Sequence, residues 1–200
     1  MNRTISICVV SLLLAYGCAG TNTIRTVEDE NIFYSSYNPK IRIKIDSDFT
    51  FNKKTDVGDT GFSAGMGEKS ANVKVNKFLF LDRSSGKNRA VEIVLKELVS
   101  PKWSFKPVIF NINNHFDSGS EKIQGRNYQH CTFAVKRKND YVLIRGLGRL
   151  VGANKNAMIV IYYVEPVGGD WSNSELLTTD QKARINTFIE NSQKDIQFLE

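Results

Sequence analysis

Long apolar runs are nearly absent from this chain of 200 residues. The exception extends from Ile5 to Ala15, and about a dozen residues are too few to span a bilayer but are typical of an export signal. Arg3 and the amino terminus give the segment a positive start. No later run reaches spanning length, which excludes a second contact with the hydrocarbon core of a membrane. The sequence therefore indicates an exported protein.

The end of this signal, residues 14–18 (LAYGC), resembles the bacterial lipobox, in which small residues lead into a cysteine. The resemblance implies that a signal peptide of residues 1–17 is removed and that Cys18 is lipid-modified. The next residues are Ala19-Gly20, not the Asp that holds such lipoproteins in the inner membrane. The resemblance therefore implies the periplasmic face of a Gram-negative outer membrane, or the surface of a single-membrane bacterium. Because the residues before Cys18 also match a small-x-small cleavage pattern, ordinary secretion is the alternative.

Cysteine is scarce, with three residues at Cys8, Cys18 and Cys131. Cys8 lies in the signal and Cys18 would carry lipid, so Cys131 is alone in the mature chain. This excludes an intramolecular disulfide there, and stability must come from the hydrophobic core.

Acidic residues are outnumbered by basic ones, and the formal net charge is +6. An excess of positive charge favours anionic lipid head groups or acidic glycans as neighbours. Export makes nucleic acid a poor candidate. Basic residues cluster at 40–44 and 136–138, where we expect a solvated strand face and a hairpin tip; a binding patch is the alternative.

Past the signal, polar residues 18–31 predict a lipidated cysteine and flexible tether, and residues 32–200 predict a single domain. Ile41, Ile43 and Ile45 alternate with polar residues, which is typical of a half-buried strand. Further alternating segments follow. Turn-forming residues at 84–88 and 152–156 predict two hairpins.

The last residues have a different pattern. Thr178 and Gln181 fit a capping box, and apolar residues then recur at helical spacing along 185–199. A single amphipathic helix needs a surface to cover its apolar face. We therefore predict an α+β fold: an antiparallel sheet of about six or more strands with the C-terminal helix packed on one face.

The charged strand that leads into residues 46–49 (DSDF), the Phe/Leu-rich strands and the closing helix near residues 188–192 resemble the PsbP-like class of small exported α+β domains. This resemblance implies a binding or assembly factor and not an enzyme. The expected function is that of a membrane-anchored envelope lipoprotein with a non-catalytic binding or assembly role. Its partner would be an envelope protein or an anionic glycan or lipid.

A string at residues 61–65 (GFSAG) satisfies G-x-S-x-G, and an envelope serine hydrolase that uses Ser63 is the alternative function. Asp117 and His130 follow in the order that a catalytic triad requires. However, a nucleophile elbow needs a buried strand before the serine and a helix after it, and the flanks show neither pattern. We interpret the glycine-rich segment from Gly58 to Gly67 as a mobile loop.

His115, Asp117, His130 and Cys131 suggest a metal or Cys–His site. Adjacent residues on a strand point to opposite faces, so His130 and Cys131 are poorly placed to share an ion. Cys131 shares its face with apolar residues and is expected to be buried. We predict no catalytic residue, metal or cofactor.

Overall fold

The structure is a computed structural model that describes residues 23–63, 70–82, 84–86, 88–100, 102–106, 109–138, 140–152 and 154–199. Strands dominate these residues. In chain order they are β1 (Arg25–Glu28), β2 (Ile32–Ser35), β3 (Ile41–Ile45), β4 (Thr50–Ser63), β5 (Ser70–Asp82), β6 (Arg89–Leu98), β7 (Asp117–Ile123), β8 (Arg126–Arg137), β9 (Asp140–Val151), β10 (Ala157–Val167) and β11 (Ile196–Leu199). The helix α1 (Thr179–Asp195) precedes β11, and short 3-10 helices lie at Asp29–Asn31, Ser84–Gly86 and Ser174–Leu176.

The strands form two antiparallel sheets. The small sheet has four strands in the order β1-β2-β3-β11, and the large sheet has seven in the order β4-β5-β6-β10-β9-β8-β7. Every adjacent pair is antiparallel. Neighbouring strands of the large sheet are thus joined largely by hairpins.

This architecture corrects the expected α+β class with one sheet and a helix on its face. The fold is mostly β, and a second sheet is built from the first and last described segments of the chain. The helix shares its side of the large sheet with that second sheet: α1 contacts β9 and leads directly into β11. A helix and four short strands together cover the apolar face that the helix alone was expected to cover.

Local predictions for the strands are confirmed. Ile41, Ile43 and Ile45 are buried while the residues between them are partly exposed. The residues after β5 and after β9 form the two predicted hairpins, which join β5 to β6 and β9 to β10. At the tip of the second hairpin, Gly152 has φ +84°, and its carbonyl accepts a hydrogen bond from Lys155 N.

The start of the helix is also confirmed, but its end is not where the spacing placed it. Gln181 N donates to Thr178 Oγ1 at 3.2 Å, and Thr178 N donates to Gln181 Oε1 at 2.9 Å, which completes the capping box. The apolar stripe was expected to continue through Ile196 to Leu199. Instead α1 ends at Asp195, and the next four residues pair with the open edge of β3.

The expected tether, residues 18–31, is also corrected in its second half. Arg25–Glu28 form β1, which pairs with β2 from Arg25↔Ser35 to Glu28↔Ile32. Arg25 also makes an ion pair with Glu97 of the large sheet at 2.8 Å. The folded region therefore includes residue 25.

The main core lies between the two layers. It is built from aromatic and β-branched side chains of both sheets and the helix. Fully buried members include Phe33, Ile43, Ile45, Phe78, Phe80, Ile93, Ile159, Ile161 and Phe188.

The opposite face of the large sheet has a smaller core. Val73, Val75, Val94 and Leu98 pack there beneath Phe105 from the segment that links β6 to β7. Farther along this segment, the ring of Phe110 packs against Gly146 of β9. A Cβ atom at Gly146 would lie only 2.5 Å from Phe110 Cε1, so a larger residue would clash with the ring. The linking segment thus packs against the sheet.

Candidate functional site

A groove of about 480 Å³ lies at the end of the small sheet where β3 begins. Its walls come from the small sheet and from the turn between β7 and β8. The lining residues are Tyr34, Lys40, Ile41, Arg42, Ile123, Gln124, Arg126, Tyr128 and Leu199. We call this cavity the basic groove.

The β7–β8 turn forms one wall because it is bonded to the small sheet at two points. Gln124 and Gly125 have φ angles of +47° and +73°, which is typical of a tight two-residue hairpin. Gln124 Nε2 donates to the carbonyl of Phe198 at 2.7 Å, and Arg126 Nη1 donates to the carbonyl of Lys40 at 3.3 Å. These bonds hold the turn beside the ends of β3 and β11.

Positive charge dominates the groove. Arg42 pairs with Glu28 at 3.0 Å. Within the part of the chain that the structure describes, no ion pair joins Lys40, Arg126 or Arg149 to an acidic side chain. Lys40 and Arg126 are exposed. An anion that enters the groove would therefore find cations that no described carboxylate neutralises.

Tyr128 forms the buried floor, and a further cation lies against it. The guanidinium carbon of Arg149 is 5.7 Å from the centroid of the Tyr128 ring. Burial raises the pKa of the Tyr128 phenol. Burial also lowers the pKa of Arg149, against the stabilising effect of Tyr128, and the charge of Arg126 adds to this lowering. The Arg149 side chain hydrogen-bonds to Tyr128, and its Nη1 is buried without a hydrogen-bond partner among the described residues.

The basic groove is suited to binding rather than covalent chemistry. Guanidinium and ammonium groups donate charge-assisted hydrogen bonds to phosphate or carboxylate oxygens, and the volume lies in the usual range of ligand pockets. The described residues of its lining include no Ser, Cys, His, Asp or Glu. We therefore treat it as the candidate site for an anionic ligand.

Ser63, the serine of the alternative function, lies at the end of a strand. Ser63 ends β4 and pairs with Ser70 of β5, so the chain returns as an antiparallel strand; residues 64–69 lie outside the described part. The segment expected as a glycine loop is thus strand as far as Ser63. His130 is on β8, five strand positions from β4, or about 24 Å along the sheet at about 4.8 Å per strand.

His115 and His130 line a different pocket of about 340 Å³ together with Cys131. Asp117 Oδ2 lies 3.1 Å from His130 Nδ1, but that nitrogen makes no hydrogen bond with a described residue. Asp117 accepts a hydrogen bond from Arg145 Nη1 at 3.1 Å. Among the described residues no group of three or more His, Cys, Asp or Glu is placed to hold a metal ion. The prediction that Cys131 is buried is confirmed, at 2 % exposure. Burial and the nearby Asp117 charge raise the pKa of its thiol.

The basic cluster at residues 40–44 has two roles. Arg42 and Lys44 lie on a partly exposed strand face and pair with Glu28 and Glu30, as expected of a solvated face. Yet Lys40 and Arg42 also line the groove. Sequence reasoning missed Arg126, Tyr128 and Arg149 because the β7–β8 turn reaches the small sheet only in the folded chain.

Comparisons with known proteins add no family to this description. No protein-family model, no curated protein and no solved structure matches the chain. Among the described residues, no helix has the length and apolar character needed to cross a membrane.

Proposed function

We propose that this protein is a lipid-anchored envelope lipoprotein with a non-catalytic binding role, and that the basic groove takes an anionic group of its ligand. The observation that carries the binding role is a set of cations, Lys40 and Arg126 in the lining and Arg149 against Tyr128, none of which is paired with a described carboxylate. Such groups recognise phosphate and carboxylate oxygens.

The anchor is proposed from the sequence. Cys18 lies outside the described residues, and its resemblance to a lipobox cysteine supports lipidation. Two or three acyl chains give stable anchoring, since each buried methylene contributes about 0.8 kcal/mol. The proposed location is the periplasmic face of the outer membrane in a Gram-negative cell.

The chemical class of the ligand follows from the groove. It carries phosphate or carboxylate groups, as an anionic lipid or an acidic glycan does; nucleic acid is not proposed. An assembly role with an envelope protein is compatible with the same site if that protein presents acidic side chains.

Titration calorimetry with the processed protein in detergent tests this function. The probes are glycerol phosphate, which represents a lipid head group, and heparin, which represents an acidic glycan. Arg126→Gln should weaken binding of the preferred probe about tenfold or more, because a hydrogen bond to a charged group contributes about 1.5–3 kcal/mol. Added salt should weaken the binding as well.

Arg137→Gln is the matched control, because Arg137 is an exposed arginine at the other end of the same strand. The two probes distinguish a lipid from a glycan source. Failure of both to bind, or equal losses in the two variants, would show that the groove is not the binding site.

A further inference from the structure

The described chain begins at the end of the small sheet that carries the basic groove. Ile24 N donates to Ser36 Oγ and Ser36 N donates to the Ile24 carbonyl, both at 3.0 Å. The chain therefore enters beside the β2–β3 turn, just before Lys40. Six residue steps separate Cys18 from Ile24, and at about 3.5 Å per residue they reach at most about 21 Å.

Two large apolar side chains are exposed at this entry point. Ile24 is 57 % exposed and Tyr37 is 56 % exposed. An aliphatic side chain can insert among lipid chains, and tyrosine is enriched at membrane–water interfaces because one end of its side chain is apolar and the other polar.

Cations lie at the same end. Lys40 follows the turn that holds Tyr37, and Arg126 is bonded to the Lys40 carbonyl at 3.3 Å. Near an anionic membrane each Lys or Arg favours binding by about 1 kcal/mol, which corresponds to about fivefold in the bound-to-free ratio. Exposed apolar groups beside unpaired cations form the pattern of a surface that contacts anionic lipid.

We propose that this end of the small sheet docks on the anionic membrane that holds the anchor, with lipid phosphate groups in the basic groove. This inference rests on the proposed function, and it adds that the ligand belongs to the membrane and not to a soluble glycan. One end of the molecule carries the exposed pair Ile24 and Tyr37 and the cations Lys40 and Arg126. The chain from the anchor at Cys18 enters at this same end over a short distance. Charge complementarity selects an anionic over a neutral lipid surface.

Side-chain oxidation in vesicles tests the docking. The processed protein, purified from cell membranes and checked by mass for lipid on Cys18, is reconstituted into phosphatidylcholine vesicles with or without phosphatidylglycerol. Hydroxyl-radical oxidation of Tyr37 is measured by mass spectrometry. Leu176 is the internal reference, because it is 77 % exposed and follows the opposite end of β10. That end is remote, since the β9–β10 turn lies beside Asn38.

We expect Tyr37 to be protected only in the anionic vesicles and Leu176 to be oxidised equally in both. The double variant Lys40→Gln with Arg126→Gln should lower the docked-to-undocked ratio about 25-fold, from two cations at about fivefold each. The matched control is Arg137→Gln with Lys138→Gln, which removes the same charge from the far end of β8 and should keep the protection.

Equal oxidation of Tyr37 in both kinds of vesicle would overturn the docking, as would an unlipidated Cys18 or equal losses in the double variant and its control. A titration of the same protein with glycerol phosphate separates the two proposals. If glycerol phosphate binds in an Arg126-dependent way while Tyr37 remains unprotected, the groove binds anions but does not face the membrane. If neither probe engages the groove, both proposals are wrong.

Discussion

Arg89 Nη1 lies 2.6 Å from Asp195 Oδ2, which joins the first residue of β6 to the last residue of α1. The hydroxyl of Tyr163 donates to the same carboxylate oxygen at 2.8 Å. The connection therefore links the large sheet to the point where the helix passes into the small sheet.

The rest of this cluster is also enclosed. Arg89 Nε donates to Asp82 Oδ2 at 2.7 Å, and Asp82, Arg89 and Asp195 are 0 %, 5 % and 4 % exposed. Burial alone would raise the pKa of Asp82, but hydrogen bonds from Ser84 and Arg89 lower it below the ordinary aspartate value. Burial raises the pKa of Asp195 in spite of its bonds to Tyr163 and Arg89. Such a cluster holds layers together and offers no access to a ligand.

Asp195→Ala should destabilise the protein by about 1–3 kcal/mol, because it removes the acceptor shared by the buried Arg89 Nη1 and the Tyr163 hydroxyl, while Asp82 still balances the Arg89 charge. Asp48→Ala is the control: its carboxylate lies 3.3 Å from Arg89, but its side chain is 56 % exposed, and such a pair contributes about 1 kcal/mol or less. Urea unfolding of the protein lacking residues 1–18 measures both. Similar midpoints for the two variants would contradict a structural role for the Arg89–Asp195 pair.

Phe188→Ala should destabilise the protein by about 3–5 kcal/mol, because Phe188 is fully buried and its ring centroid lies 5.2 Å from that of Tyr163. Glu190 is exposed, and Glu190→Ala should change the free energy of unfolding by roughly half a kcal/mol or less. The same urea experiment compares them. If both unfold at one urea concentration, the helix does not contribute to the core.

Cys131 should stay unlabelled by a maleimide in native protein and react only after denaturant is added. Burial raises the pKa of its thiol, so less of the reactive thiolate is present. Burial also keeps the reagent away from the sulfur. The measurement is the mass of the protein after timed labelling. Rapid labelling in buffer would mean that the Cys131 face of β8 is open.

Much of the large sheet could be predicted from the chain, because its strands are long enough to show alternation and its hairpins have recognisable turn residues. Of the small sheet, only β3 could be predicted, from the alternation of Ile41, Ile43 and Ile45. β1, β2 and β11 have four residues each, too few for a period of two to be distinguished from other patterns. Ile196 and Leu199 fitted the helical spacing, yet they pair with β3, whose open edge offers backbone hydrogen bonds that a longer helix would leave unused.

The basic groove was predictable only in part. Lys40 and Arg42 stand in a visible basic cluster, but Arg126 and Tyr128 join them through contacts between segments more than eighty residues apart, such as Arg126 Nη1 to the Lys40 carbonyl. A pattern within one stretch of sequence cannot predict a contact between segments so far apart. The meaning of the strongest local motif, at Ser63, depends in the same way on neighbours from other segments, and Ser63 pairs with Ser70 of β5.

Cys18→Ser should release the protein from membranes and leave an uncleaved precursor, because the lipid would have no sulfur to bond and the peptidase no modified substrate. Cell fractionation with immunoblotting measures both effects. Cys131→Ser is the control and should remain in the membrane fraction. Unchanged retention and processing of the Cys18 variant would favour the ordinary secretion signal.

The most direct test of the account locates the bound anion. Amide chemical shifts of the protein lacking residues 1–18 are followed by NMR during a titration with glycerol phosphate, for the wild type and for Arg126→Gln. We predict that the largest changes cluster at Tyr34, Lys40 and Arg126 and that the variant loses them. Changes centred instead on the pocket of His115 and His130, or identical changes in both proteins, would contradict the assignment of the basic groove as the binding site.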